Sequence, residues 1–184
     1  MKTTDDILQR KYDVKKRFVE VNDAQFILEL RLDEKLGRFL SYTDDDISLQ
    51  EDWINNYKKR EKNGLEFYFI YVNSTGKPFG LSRIYNINDN SFEVGSWLFS
   101  KDSPEGLSVL GDLCARDFAF NKNKEFTFCR FEVRKDNRSV VNYHKRFNPT
   151  LVGEDELNYY FELSREKYEL FRDRILKIYD NGNK

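Results

Sequence analysis

The sequence predicts an α+β fold in three layers, a mixed central sheet of about seven strands with helices on both faces. Three observations carry this. Strand-type and helix-type hydrophobic patterns follow one another in the order βααβββαβαββα. The chain has 184 residues, 16% of them aromatic, which is enough material for one sizeable core. Residues 92–120, FEVGSWLFSKDSPEGLSVLGDLCARDFAF, read as a strand, a polar turn and an amphipathic helix.

Taken in order, 16–22 (KRFVEVN) reads as the first strand, with Asn22 or Asp23 able to cap the next helix. That helix, 24–42, carries Leu28, Leu32, Leu36 and Phe39 on one face. A polar break, TDDDIS, leads to a second helix over 49–62, with Ser48 as its cap and Trp53 and Tyr57 four residues apart on one face. Lys62-Asn63-Gly64 is a helix stop. Strands follow at 66–73 (EFYFIYVN) and 78–87 (PFGLSRIYNI), joined by the STGKP turn. After the central strand, 92–99, the turn at 100–108 contains Pro104 and Gly106. The helix over 109–120 places Leu110, Leu113, Cys114 and Phe118 on one stripe. A strand over 126–133, a short helix capped by Asp136 or Asn137 and running to about 147, and strands ending near 152 and over 157–163 complete the sheet. Ser164 caps a final helix with Tyr168, Phe171, Ile175 and Ile178 on one stripe, and NGNK reads as a frayed tail.

Composition excludes several classes. Lys and Arg total 31 against 32 Asp and Glu, so no dedicated nucleic-acid or membrane surface is expected. The basic run from Arg10 to Arg17 reads as a solvated surface beside a strand, since no basic counterpart follows it. No apolar run spans a bilayer, and the first residues lack the apolar region of a signal peptide, so the expected location is cytoplasmic. Cys114 and Cys129 lie far apart in apolar contexts and read as reduced core residues, and with one histidine no metal site is expected.

Strand, turn and helix in residues 92–120 aim backbone N–H groups and the positive end of a helix dipole at the turn, which is the physical recipe for a diphosphate cradle. Here a resemblance enters. The turn, Ser103-Pro104-Glu105-Gly106-Leu107-Ser108, is similar to the loop of the GNAT family of acetyl-coenzyme A-dependent N-acetyltransferases, with Gly106 and the small Ser108 in place and Ser103 where a longer polar residue is usual. Residues 131–147, FEVRKDNRSVVNYHKRF, resemble the late motif of that family, with Asn137 on the motif's Asn, Val140 and Val141 on its apolar pair, and His144 on its catalytic Tyr position beside Tyr143. Glu93-Val94-Gly95-Ser96-Trp97 is similar to the Glu-Ile-Gly-aromatic-Trp stretch of ribosomal-protein N-acetyltransferases. The resemblance covers about 16–163, with 164–180 as a helical extension of a single domain spanning 1–184.

The resemblance implies acetyl transfer from acetyl-coenzyme A to a primary amine by direct attack. Cofactor contacts are then expected from Trp97, Leu98, Phe99, Ser103, Glu105, Gly106, Leu107, Ser108 and Asn137. Attack by a neutral amine on a thioester needs a base for the amine's proton, N–H donors for the oxyanion, and an acid for the departing thiolate. Glu93 is the expected base. His144 or Tyr143 is the expected acid, His144 because it titrates near neutral pH. The oxyanion donors are expected near Trp97 and Leu98, where Gly95 fits a bulge. Arg83 and Tyr85 are expected to line the acceptor pocket. A packing role is the alternative for each of these side chains. The late motif is also similar to that of bacterial enzymes acetylating nucleotide-linked amino sugars for surface polysaccharides. A protein N-terminus or a small polyamine is a second acceptor class, and a non-catalytic GNAT-fold binding module is a third reading. A homodimer is expected from the resemblance alone, with neither nucleic acid nor membrane as partner.

Overall fold

The computed structural model describes residues 3–181, so the end of the expected tail, 182–184, lies outside the described residues. The first element is helix α1 (Thr4–Tyr12), which was not expected. Only Ile7 and Leu8 supply its apolar face, too few to give a periodic signal. Its start is nevertheless written in the sequence. The Thr3 hydroxyl accepts from the Asp6 amide at 3.1 Å and the Asp6 carboxylate accepts from the Thr3 amide at 2.9 Å, a capping box. The basic run is therefore split between the last turn of α1 and strand β1 (Val14–Phe18), with Asp13 in the left-handed region between them. Lys16 and Arg17 are paired with Asp5 and Asp23.

Helix α2 (Ala24–Leu32) ends ten residues before the expected 42. Asp33 stops it by accepting from the Lys35 and Leu36 amides at 2.9 and 3.0 Å, turning the chain back on itself. Two expected caps differ. The Asp23 carboxylate serves Arg17 and the Glu20 amide instead of α2, and Asp46, not Ser48, caps α3 (Ile47–Lys62), accepting from the Ser48 amide at 2.8 Å.

Strands β2 (Phe67–Asn73), β3 (Pro78–Tyr85) and β4 (Ser91–Phe99) form a meander with β1. Helix α4 (Leu107–Lys122) leads to β5 (Phe128–Arg134), α5 (Arg138–Lys145), β6 (Thr150–Glu154), β7 (Asn158–Ser164) and α6 (Arg165–Asn181). The sheet order is β1-β2-β3-β4-β5-β7-β6, antiparallel except where β4 meets β5. The expected cap of α6 is present, Ser164 Oγ accepting from the Lys167 amide at 3.3 Å.

Alternation along β2 divides the interior. Phe67, Phe69 and Tyr71 join one buried cluster with residues of α1, α4, α5 and α6, and Tyr68, Ile70 and Val72 join a second with residues of α2 and α3. Three layers are the result, as the sequence predicts. Helix α6 belongs to the first cluster through Tyr168 and Leu176. No helix among the described residues is long and apolar enough to cross a membrane.

Candidate functional site

Strands β4 and β5 are paired in parallel only over Ser91–Phe92–Glu93 against Phe128–Cys129–Arg130. Beyond those residues their ladder stops, although both strands continue. On its other edge β4 stays paired to β3 but bulges. Arg83 faces Gly95 and Leu81 faces Leu98, so Ser96 and Trp97 together oppose Ser82. Ser96 adopts φ +47, and the non-glycine residue in the left-handed region is the signature of a backbone forced to turn there. Gly95, where the bulge was anticipated, is adjacent. A Cβ on it would press against the Tyr85 ring at 3.0 Å.

The parting of the strands opens a cavity of about 280 Å³ whose walls include Ser96, Trp97, Ala115, Arg116, Asn137 and His144. A second cavity, of about 490 Å³, lies on the α2 and α3 side and includes Arg31, Trp53, Arg83, Tyr85, Glu132 and Arg134 in its walls. The two share Val94, Gly95 and Ser96 of β4 and Glu132 and Arg134 of β5. They therefore meet at the bulge, and a group seated in one faces a group seated in the other.

The expected cofactor-contacting residues divide into three sets. Trp97, Leu98 and Phe99 line the smaller cavity. The Trp97 indole N–H donates to the Ser108 carbonyl at 2.9 Å and its ring lies 5.0 Å from that of Tyr143. Leu98 sends its side chain into the second core cluster, and Phe99 occupies the space that glycines at 80 and 111 leave open. The loop residues form a second set. Ser103 is spent on the turn, its amide bonded to the Ser100 carbonyl and its hydroxyl to the Phe79 carbonyl, both at 3.0 Å. Glu105 is exposed, and Gly106, at φ +82, is the residue before α4. The helix begins at Leu107, two residues earlier than the periodicity indicates, so Leu107 and Ser108 stand in its first turn. Asn137 makes the third set: its Oδ1 caps α5, accepting from the Val140 amide at 3.4 Å and the Ser139 hydroxyl at 3.1 Å, while the residue lines the cleft.

The two expected acids sit differently from a titrating pair. His144 is 5% exposed, its ring centred 4.4 Å from that of Phe131 in a tilted arrangement, and its Nδ1 has no hydrogen-bond partner. Burial pulls its pKa down to about 3, so the imidazole is neutral across the physiological range and cannot act as a neutral-pH acid in its charged form. Tyr143 donates to Asp112 Oδ2 at 2.9 Å, and burial, reinforced by the Asp112 charge, holds the phenol well above its usual value. Both residues approach Trp97, and His144 is the one that lines the cleft.

Asp112 and Arg116 were not singled out from sequence. They form a buried ion pair one helical turn apart at 3.0 Å, with Arg116 fully buried and its Nη2 without a partner. Burial disfavours the guanidinium charge but Asp112 outweighs it, so the net shift is upward. The signal available was a D-x-x-x-R pair set within the apolar stripe of α4, an expensive placement for two charges.

Glu93, the expected base, lines neither cavity. It faces Tyr85 across the β3–β4 ladder and Arg130 across the β4–β5 ladder. Glu132 lines both, and alternation in FCRFEVR, which points every second residue away from the core, was the signal that could have found it. Tyr85 lies near both carboxylates, and burial with their charges pushes its phenol up to about 12. Arg83 stacks 5.0 Å from Trp53 and 4.8 Å from Tyr85 while its Nε donates to the buried Glu66 at 2.5 Å. Among the described residues, no group of three or more His, Cys, Asp or Glu is placed to hold a metal.

No protein-family model matches the chain, and no curated protein matches it by sequence. Solved structures do. The apo structure of FdhC, a nucleotide-linked sugar GNAT, superposes with a TM-score of 0.78 at 34% identity, over 89% of this chain and 93% of that one. Spermidine N-acetyltransferase from Vibrio cholerae, solved with CoA and spermine, gives 0.70 at 16% identity over 85% and 98%. Ribosomal-protein-S5-alanine acetyltransferase from Vibrio fischeri gives 0.71 at 15% over 85% and 95%. The last two share the fold, whereas FdhC shares a third of its sequence over nearly the whole length of both chains. With the strands parted at β4 and β5 and a bulge where they part, the chain belongs to the GNAT family of acetyltransferases.

Proposed function

We propose that this protein moves an acetyl group from acetyl-coenzyme A to the primary amine of a nucleotide-linked amino sugar. The observation that carries this is the junction of the two cavities at Val94–Gly95–Ser96 and Glu132. The smaller cavity suits the pantetheine arm. Its β4 wall offers backbone no longer paired to β5, and Ala115 and Val140 supply apolar contact. Acetyl-coenzyme A, when bound, would supply the activated thioester and leave as the free thiol. Gly106 and the first turn of α4 then take the diphosphate end, with N–H donors at the positive end of the helix.

The larger cavity fits a nucleotide-linked acceptor better than a polyamine. Its walls carry three guanidiniums, Arg31, Arg83 and Arg134, next to the rings of Trp53 and Tyr85. Cations attract a diphosphate, and planar faces suit a base or a sugar. The walls also hold Asp44 and Glu132, and Arg83 and Arg134 are paired with Glu66 and Asp136, so Arg31, bonded to the neutral Thr43 and Ser41 hydroxyls, is the guanidinium there best placed to meet a diphosphate. FdhC being a nucleotide-linked sugar GNAT supports the same acceptor class.

In this reading Glu132 accepts the proton of the attacking amine, directly or through one water, since it borders both cavities. Amides of β4 at Trp97 and Leu98 stabilise the oxyanion. Of the expected acid pair, Tyr143 keeps its proton at neutral pH but spends it on Asp112 and lines neither cavity, so in this reading the departing thiolate takes its proton from water.

Calorimetric titration with acetyl-coenzyme A, followed by an acceptor screen, tests the proposal. Donor binding followed by turnover of nucleotide-linked amino sugars, and not of spermidine or an N-terminal peptide, is the expected result. Binding with turnover of spermidine alone would replace the acceptor, and absence of donor binding would leave a non-catalytic GNAT-fold module.

A further inference from the structure

The diphosphate loop is held by two helices from opposite ends of the chain. Tyr12, the last residue of α1, donates its hydroxyl to the Glu105 carbonyl at 2.7 Å. Tyr179, near the end of α6, donates to the Gly106 carbonyl at 2.8 Å. Their rings meet edge to face at 6.5 Å, and the Lys11 ammonium stands 4.8 Å from the Tyr179 ring. A Cβ at position 106 would meet the Tyr179 hydroxyl at 2.4 Å and the Tyr12 hydroxyl at 3.0 Å, so the pair closes directly over the glycine. Neither tyrosine lines either site cavity.

We propose that Tyr12 and Tyr179 are positioning residues for the diphosphate of the acyl donor. The proposal rests on the donor reading given above. A trans peptide is planar, and its C=O and N–H point in opposite directions. Pinning the Glu105 carbonyl toward α1 therefore aims the Gly106 N–H away from Tyr12 and α1. Pinning the Gly106 carbonyl fixes the next peptide, whose Leu107 N–H is spent on the Pro104 carbonyl at 3.1 Å. Pro104 has no N–H of its own. With one donor absent and one internally bonded, the direction of the Gly106 N–H decides how well the loop meets an anion. Glycine at φ +82 lacks the side-chain bulk that restrains other residues, so an outside restraint has most to do at the Glu105–Gly106 peptide, while at the Gly106–Leu107 peptide Tyr179 adds to the Leu110 amide, which also donates to the Gly106 carbonyl, at 3.3 Å. Both hydroxyls engage carbonyl oxygens and none of the amides, leaving the anion-binding groups unobstructed.

The test compares two thioesters, acetyl-coenzyme A and S-acetylpantetheine, which lacks the diphosphate, by calorimetric Kd on wild type, Tyr12→Phe, Tyr179→Phe and the double variant. Phenylalanine keeps each ring in place. The double variant should raise the Kd for acetyl-coenzyme A about tenfold, equivalent to about 1.4 kcal/mol. The Kd for S-acetylpantetheine should stay at the wild-type value. Equal weakening for both thioesters would show a general loss of fold and overturn the positioning role, as would no change for either. Wild type binding both thioesters equally would overturn it from below, because the loop then holds no diphosphate. Wild type binding neither would instead remove the donor reading itself.

Discussion

At the scale of single residues, position relative to the two cavities separates side chains of the same chemistry. Glu93 and Glu132 both lie close to Tyr85, yet only Glu132 borders the space where amine and thioester would meet. Glu132→Gln should lower kcat by about 10²–10⁴, the usual worth of a general base, while Glu93→Gln should leave kcat near wild type, as steady-state kinetics with a competent acceptor would show. His144 gives a pH prediction. Its folded pKa of about 3 lies below the unfolded value of 6.5, so between these values the unfolded chain binds a proton that the folded chain does not. Stability from this residue is complete above pH 6.5, declines as pH falls, and is gone below about 3, a contribution of at most roughly 4–5 kcal/mol. His144→Phe should therefore flatten the loss of stability between pH 6.5 and 3 in denaturant titrations. A wild-type rate profile with a limb that His144→Phe abolishes would show that the imidazole titrates near neutrality after all.

At the scale of elements, the cleft exists because β4 keeps its β3 ladder, with a bulge, while losing its β5 ladder. The packing behind that strand is close. Phe99 fills the space over Gly111 of α4 and Gly80 of β3, and a Cβ at position 111 would meet its ring at 2.3 Å and that of Tyr71 at 3.4 Å. Gly111→Ala should destabilise the protein by about 1–3 kcal/mol, since the Phe99 ring, which also fills the space over Gly80, must shift to admit the new methyl group. Thermal unfolding would reveal this, and a variant as stable as wild type would mean that Phe99 can turn aside cheaply. The element that sequence patterning overlooked, α1, is short and polar, and the one it overextended, α2, is stopped by Asp33 accepting from two backbone amides. In both cases a local polar hydrogen bond decided the outcome where hydrophobic spacing was weak.

At the scale of the whole molecule, the ends of the chain close over its middle. Helices α1 and α6 share the buried cluster with α4 and reach the loop before it through Tyr12 and Tyr179. Donor binding at that loop would thus be felt by the entire core. Acetyl-coenzyme A at a hundred times its Kd should raise unfolding free energy by about 2.7 kcal/mol, seen as an upward shift in Tm. A Tm that ignores the ligand would show that the folded state does not bind it.

The amino-acid sequence by itself determined the layer order, six of the seven strands to within two or three residues of an end, the strand-turn-helix around Gly106, and the resemblance to acetyltransferases. These are properties of local periodicity, turn chemistry and short motifs, which neighbouring residues encode. Tertiary structure alone decided which carboxylate stands at the junction, Glu132 and not Glu93. It also decided that His144 is buried and neutral and that Asp112, Arg116 and Tyr143 form one cluster under the cleft. Burial and through-space partners set charge state and direction, and residues such as Tyr143 and Asp112, 31 positions apart in the chain, meet only when the helices pack.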